Sequence, residues 1–470
     1  MATGTEEVSV GLRSARGKVL ASLMLASGLV ALDSTIIATA VLGITNNLGG
    51  FAQFPWLFSI YLLAQAVSTP IYGKIADTIG RKPVILIGIG TFALGSLLCG
   101  MATSMVALII FRAVQGLGAG AIGPMSMTIA GDVYTLTERA KVQGYLASVW
   151  ALSSVLGPLL GGIFTDYLSW RWIFFVNLPL AAVAAWMLVR HFNENTPRQR
   201  HRADYLGAGL LTLGAGALIL GLLEGGQAWA WNSPTSIVIF AGGAAVLALF
   251  AFVQTRAANP VLPLWIFTRR VVIASSTASM LIGAIMVGLT SYVPTFAQGV
   301  LGSSALLGGL TVGALTLGWP LSASQAGKVY LRIGFRATAA IGSGLAALGG
   351  ASTLLINQQS SLLQIAASCF VIGSGLGLVA TPTLIAAQMS AEWTERGVVT
   401  SANLFARSLG SAVGIAIFGA IVNAAVHHAD HPAAEQLSPA VHKVFLAVAG
   451  MAIVMLCASA MMPRRDATTA

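Results

Sequence analysis

Apolar residues in this chain gather into long runs of about twenty, parted by short polar stretches. Runs of that length predict membrane-spanning helices: each span must close its backbone hydrogen bonds internally, and about 20 helical residues cover a ~30 Å hydrocarbon core. Fourteen such runs can be marked, at approximately 19–42, 54–75, 83–103, 105–131, 142–165, 172–191, 205–225, 234–255, 271–297, 305–326, 336–356, 361–387, 398–425 and 443–462.

The polar loops between the runs carry an internal repeat. Gly73 to Lys82 reads G-K-I-A-D-T-I-G-R-K, and Gly327 to Arg336 reads G-K-V-Y-L-R-I-G-F-R, with Gly327, Gly334 and Arg336 falling where Gly73, Gly80 and Lys82 fall. The copies join the second and third spans of the first six and of the last six, as expected of two related membrane halves. The pair at 205–225 and 234–255 is then an insertion, bordered by the polar stretches 190–204 and 256–270. The expected organisation is a six-helix bundle over 1–192, a linker with two inserted helices over 193–268 and a second six-helix bundle over 269–470. Trp229 and Trp231, in the loop of the inserted pair, are expected at the membrane interface.

Composition agrees with this reading. The 470 residues are 56% hydrophobic and 9% charged, with 53 glycines, whereas soluble domains carry about 25% charged residues. The net charge of +10 would suggest nucleic acid in a soluble protein; here 21 of the 25 Lys and Arg fall in segments that share one membrane face if the N-terminus is cytoplasmic. That asymmetry predicts a multi-pass protein of the cell membrane with both termini in the cytoplasm, and no nucleic-acid partner. The run at 19–42 is too long for a signal-peptide core and is expected to be an uncleaved first span. Cys99, Cys369 and Cys457 lie within apolar runs and suit packing rather than a disulfide framework or metal site. A monomer is expected.

Few residues can carry chemistry. Asp33, in A-L-D-S-T-I-I-A-T-A, is the one carboxylate well inside a span, where a charge costs at least ~2.5–3.5 kcal/mol on insertion scales. It is either a proton carrier or cation site facing a central cavity, or a structural partner for an arginine. Arg112 enters its span to a depth of about 12 Å, and Asp33 lies about 8–10 Å from the same face. At that shared depth Arg112 would favour the charged carboxylate and desolvation would oppose it, and movement between two conformations would alternate the two effects. Arg407, in N-L-F-A-R-S-L-G, is near the midplane with no carboxylate in its own half; it could bind an anionic substrate group, pair with Asp33, or bond backbone carbonyls.

The Gly73 to Lys82 loop offers glycines for a tight turn and fixed charges at Asp77, Arg81 and Lys82. Asp77 could meet a helix N-terminus of the other half, around Thr400 and Ser401, and lock the cytoplasmic side in one state; the plainer alternative is a basic cytoplasmic loop. The G-A-G-A-I-G of Gly118, Gly120 and Gly123 matches a dinucleotide fingerprint in form only, since it follows no strand. With Gly116 it is a small-residue face for close helix packing. L-G-P-L-L-G-G, with Gly157, Pro158, Gly161 and Gly162, predicts a bendable, tightly packed seam. No P-loop sequence occurs, so any pumping would draw on an ion gradient and no cofactor is expected. His427, His428, Asp430 and His431 match no specific metal spacing, and no metal is expected.

Taken together, these residues resemble the major facilitator superfamily, in particular its fourteen-helix drug:proton antiporters, over essentially the whole chain. The matching motifs are Gly73, Asp77, Gly80, Arg81 and Lys82 in the loop; Arg112, Gln115, Gly116 and Gly118; Gly157 to Gly162; Leu32 to Ile36; and W-R-W-I-F-F-V-N-L-P from Trp170 to Pro179. The resemblance implies an all-α integral membrane fold of two pseudo-symmetric six-helix bundles plus two inserted helices. It implies no enzyme activity, but export of lipophilic or cationic drugs against protons by alternating access, with Asp33 as proton carrier, Arg112 assisting, and the Gly157 to Gly162 motif favouring exchange. Export of an endogenous lipid or metabolite on the same fold is the alternative, with Arg407 meeting an anionic head group. Two departures stand out: Leu331 is opposite Asp77, and the second half has no membrane carboxylate. Substrate contacts would fall to Trp56, Tyr61, Gln65, Trp150, Tyr292, Phe296, Gln298, Asn403 and Arg407, the first half handling coupling and the second shaping the cavity.

Overall fold

A computed structural model of the chain describes residues 11–462 apart from 13, 15, 135, 195–203, 227, 258–259, 261–263, 393–395 and 427–432. Among the described residues the fold is helical, with one isolated bridge between Gly225 and Trp229. The helices are α1 (Gly17–Leu48), α2 (Phe54–Ile79), α3 (Arg81–Gly100), α4 (Met105–Val133), α5 (Leu136–Tyr167), α6 (Trp172–Phe175), α7 (Asn177–His191), α8 (Tyr205–Glu224) and α9 (Pro234–Gln254), then α10 (Arg270–Gly299), α11 (Ala305–Ile333), α12 (Phe335–Thr353), α13 (Leu362–Met389), α14 (Arg396–Val426) and α15 (Ala434–Ser459).

Three departures from the hydropathy reading have local causes. The run at 172–191 is broken into α6 and α7 just ahead of Pro179, which has no N–H to bond back to the preceding turn and so sits in the first turn of a new helix. The last helix begins at Ala434 rather than near 443, because its polar first turns bury only Leu437 and Ala440. Thirteen described spans are long and apolar enough to cross a membrane; α12, rich in Ala, Gly, Ser and Thr, is the fourteenth and packs against α13 and α15. Large side chains left exposed, such as Leu94, Val106, Leu213, Val238 and Leu363, are apolar, as a lipid-facing surface requires.

The repeat is visible atom by atom. Gly80 ends α2 at φ 107° and Gly334 ends α11 at φ 87°, left-handed conformations that favour glycine, and each N–H bonds back to the carbonyl four residues earlier. In α4 a side chain at Gly116, Gly118 or Gly120 would strike Tyr61 O, Gly88 O or Gln65 O; in α13 a side chain at Gly373, Gly375 or Gly377 would strike Leu315 O, Gly342 O or Trp319 O. Each of the latter carbonyls lies 254 positions after its counterpart, the spacing that also separates Gly80 from Gly334. The α4 and α13 glycines themselves are 257 positions apart, and in that register Arg112 corresponds to Cys369 and Gln115 to Ile372, so the second bundle keeps the packing and lacks the polar side chains.

The bundles α1–α7 and α10–α15 meet most closely at the end bearing Asp166, called here the Asp166 face; the opposite end is the Gly80 face. One apolar cluster runs through both bundles toward the Asp166 face, including Ile36, Ile44, Phe54, Tyr292, Phe296, Val312 and Phe418. Toward the Gly80 face the apolar clusters are separate, one around Leu23, Ile85 and Ile129 and others around Val272 with Val399 and around Phe335. The inserted α8 packs against both α2 and α14 through Leu63, Val67, Ala215, Ile219, Ala412 and Ala416, and α9 packs on α8.

Candidate functional site

Asp33 on α1 and Arg112 on α4, brought to similar depth by the rise of their helices, are in contact: Arg112 Nη1 donates to Asp33 Oδ2 at 2.7 Å, and the side chains are 1% exposed. The other carboxylate oxygen, Oδ1, accepts from Gln115 Nε2 at 2.7 Å and Asn177 Nδ2 at 3.1 Å. Arg112 also donates to Gln115 Oε1 at 2.7 Å and, through Nε, to Leu57 O at 3.1 Å. Tyr61 lays its ring against the guanidinium, 4.0 Å from its carbon. Ser96 Oγ on α3 closes the network, accepting from Gln115 Nε2 at 2.8 Å and Asn177 Nδ2 at 3.3 Å.

Five helices therefore converge on one carboxylate. Burying either charge alone would cost several kcal/mol, and the pair is tolerable because nearly every lone pair and N–H has a partner. Two atoms lack one: Asn177 Oδ1 and the Tyr61 hydroxyl are buried without a hydrogen bond. In this conformation the carboxylate points into the packed first bundle rather than into a cavity, which differs from the expectation of a cavity-facing group.

The glycine motif of α5 sits at the joint between bundles. A side chain at Gly161 would strike Ile36 O and Thr39 on α1, and one at Gly162 would strike Leu306 on α11; Gly309 of α11 in turn faces Pro158 O. Gly157 abuts Thr35, whose hydroxyl donates to Ser153 O at 2.9 Å. One turn beyond, Asp166 Oδ1 and Oδ2 accept from Ala305 N and Leu306 N, each at 3.1 Å, across the bundle boundary. Gln298 Nε2 to Thr39 O at 3.2 Å, Asn423 Nδ2 to Ala52 O at 2.7 Å and Ser59 Oγ to Ala412 O at 3.1 Å also join the bundles.

At the Gly80 face Arg81 and Lys82 contact the first bundle and the segment that follows α7. Arg81 N and Lys82 N donate to the Glu194 carboxylate at 2.7 and 3.1 Å, Arg81 Nε lies 3.3 Å from Asp132, and Lys82 Nζ donates to Val189 O at 3.0 Å and to Phe192 O. Glu194 thus caps the N-terminus of α3. Gly73 is partly buried with open space where a side chain would extend. The Asp77 and Ser401 side chains, and His427, His428, Asp430 and His431, lie outside the described residues; Thr400 accepts from Gln388 Nε2 at 2.8 Å. Among the described residues no group of His, Cys, Asp or Glu could hold a metal.

The expected cavity residues scatter. Trp56 Nε1 donates to Glu224 on α8 at 2.9 Å. Tyr61 belongs to the Arg112 network, and Tyr292 and Phe296 are buried against Phe54 and Phe445. Asn403 ties α14 to α10, donating to Ser275 Oγ at 2.6 Å and accepting from Ser279 Oγ at 2.5 Å. Gln65 is partly buried and Trp150 is 47% exposed. Arg407 places its guanidinium carbon 5.3 Å from the Trp319 ring centre, and Asp33, with its oxygens engaged, does not pair with it. Sequence reasoning missed Ser96, Asn177, Asp166 and Glu194. Asn177 lies within the W-R-W-I-F-F-V-N-L-P segment and Asp166 follows the Gly157 to Gly162 motif, so both had a signal nearby.

A family model described as Major Facilitator Superfamily matches residues 23–415. The chain is 34% identical over 416 residues to the Multidrug transporter protein MdtP of Bacillus subtilis (strain 168), covering 88% of this chain and 76% of that protein. It is 35% identical over 405 residues to Multidrug resistance protein 3 of the same organism, covering 86% and 79%. Among solved structures it resembles a bacterial homolog of the human lysosomal transporter Spinster in an inward-facing, unoccupied conformation (TM-score 0.68, 14% identity, 96% of this chain and 98% of that one). It also resembles a D-xylose-proton symporter (TM-score 0.67, 13% identity, 96% and 99%), a likeness of fold alone.

Proposed function

The chain belongs to the major facilitator superfamily, and on that premise we propose that it exports lipophilic, drug-like compounds in exchange for protons by alternating access, with Asp33 as the proton carrier. The names of its relatives support the substrate class. The observation that carries the coupling is the Asp33 network, a membrane-buried carboxylate held by one cation and two amides.

The chemistry follows from the partners. The charged carboxylate is satisfied by Arg112, Gln115 and Asn177. A proton on Oδ1 converts that acceptor into a donor, and the Asn177 amide can receive it by turning over, because its unpartnered Oδ1 would then stand where Nδ2 stands now, 3.1 Å away. Arg112 meanwhile keeps Leu57 O, Gln115 Oε1 and the Tyr61 ring. Both protonation states thus have a hydrogen-bonded form without water, and they differ in how tightly α1 is bound to α4 and α7. Such a difference is what a two-state carrier needs, since a ligand shifts an equilibrium only by its differential affinity for the two states.

The 21 basic residues assigned to one side support a cytoplasmic Gly80 face and cytoplasmic termini. With the bundles joined at the Asp166 face, the conformation is then one that loads from the cytoplasm. The test is a compound-accumulation panel in a host without its own efflux pumps, with drug-dependent proton movement followed in everted vesicles. Asp33→Asn is expected to abolish both extrusion and exchange, and undiminished exchange in that variant would overturn the proposal.

A further inference from the structure

Arg407 is a cation without a counter-charge among the described residues. It lies eleven residues into α14, roughly 16 Å along it, and its guanidinium makes no hydrogen bond or ion pair with any described residue; Nε is buried and unpartnered. Its guanidinium carbon lies 5.3 Å from the centre of the Trp319 ring on α11, a cation–π contact that satisfies none of its N–H groups. No Asp or Glu occurs between Arg270 and Met389, nor in α14. The other membrane carboxylate, Asp33, is neutralised by Arg112 within the first bundle. Arg407 and Trp319 are both partly exposed.

A positive charge in a low-dielectric cleft raises the local concentration of anions and disfavours cations. The free edge of a guanidinium matches two oxygens of a carboxylate or phosphate. Cationic compounds, one class expected from the resemblance, find no carboxylate within helices α10 to α14.

We propose that Arg407, backed by Trp319, is an anion subsite in the second bundle that takes the carboxylate or phosphate of a free amphiphilic substrate. This deepens the export reading and rests on it.

The experiment compares two probes with the same tail and opposite heads, dodecyl phosphate and dodecyltrimethylammonium, by titration calorimetry on the full-length protein in phosphatidylcholine nanodiscs. The phosphate is expected to bind at least tenfold more tightly. Arg407→Gln should erase that preference and Arg407→Lys retain it at lower affinity, since an ammonium keeps the charge without the bidentate fork. Equal affinity for the two heads in the unaltered protein, or a preference that survives Arg407→Gln, would overturn the subsite, and the first of these needs no variant to fold. Phosphatidylglycerol in the disc should leave the dodecyl phosphate affinity unchanged; competition by it would mean that a lipid head group occupies the site and would overturn the free-substrate assignment. Binding is read without a gradient, so a protein that binds the phosphate yet moves nothing fails the export reading alone. One that exports cations equally well as Arg407→Gln, with no head-group preference in binding, fails this proposal alone.

Discussion

Asp166 Oδ2 accepts a hydrogen bond from the backbone N–H of Leu306 at 3.1 Å, so the end of α5 caps the first turn of α11 across the boundary between the bundles. A carboxylate at a helix N-terminus contributes about 0.3–1 kcal/mol where exposed, from free N–H groups and the helix dipole together. Asp166 is exposed, and the contact can exist only while the Asp166 face is closed. Asp166→Asn should therefore raise the population open at that face by up to roughly fivefold, the equivalent of about 1 kcal/mol. Spin labels at Tyr167 and Leu307, both exposed, would report this as a longer-distance component, and an unchanged distance distribution would remove Asp166 from the gate.

Asp33→Asn alone leaves Arg112 buried with a neutral partner. Breaking one side of a buried ion pair costs about 3–5 kcal/mol, while replacing both partners with neutral groups is often close to neutral. Thermal unfolding in detergent should show Asp33→Asn strongly destabilised and Asp33→Asn with Arg112→Gln largely recovered. Proton-driven exchange should be absent from both. A double variant that recovers transport along with stability would reduce Asp33 to a structural partner of Arg112.

The spans, the repeat and the Asp33 and Arg112 pair were legible because each rests on one-dimensional quantities: apolar run length, residue spacing and 1.5 Å of rise per residue. Ser96 and Asn177 were not, since an uncharged polar residue in a span carries no cost large enough to demand explanation until α3 and α7 are packed against α1. Facing direction was equally hidden. Trp56 turns to Glu224 on α8, and Asn403 turns to Ser275 and Ser279 on α10, because helix–helix packing decides which side of a span meets the cavity. The Glu194 cap on α3 was unreadable for a similar reason, as its donors at Arg81 and Lys82 are more than a hundred residues away in sequence.

The duplicated glycine register makes a prediction about folding. Gly118→Ala should push a methyl group into Phe92 N and Gly88 O, and Gly375→Ala into Ala346 N and Gly342 O, backbone atoms that cannot move aside cheaply. Each should cost about 1–3 kcal/mol, the usual range for overpacking. Gly123→Ala meets nothing within 4 Å and serves as the control. Equal unfolding temperatures for the three variants would mean that the glycines do not set the α3–α4 and α12–α13 approach.

The turning of the Asn177 amide separates a proton-handling role from a packing role. Asn177→Leu keeps the volume and removes both the donor to Asp33 Oδ1 and the acceptor that would receive its proton; Ser96→Ala removes the hydroxyl that Gln115 and Asn177 share. A lost hydrogen bond to a charged group costs about 1.5–3 kcal/mol, and a neutral one about 0.5–1.5 kcal/mol. Both variants should lower stability, Asn177→Leu somewhat more. Exchange should respond far more unequally: in Ser96→Ala the carboxylate keeps every partner and proton-driven exchange should fall only a few fold. In Asn177→Leu the neutral form of Asp33 loses its hydrogen-bonded partner, and exchange should fall by at least tenfold while binding of substrate without a gradient persists. If both variants slowed exchange in proportion to their loss of stability, the amide would be a structural bond and nothing more.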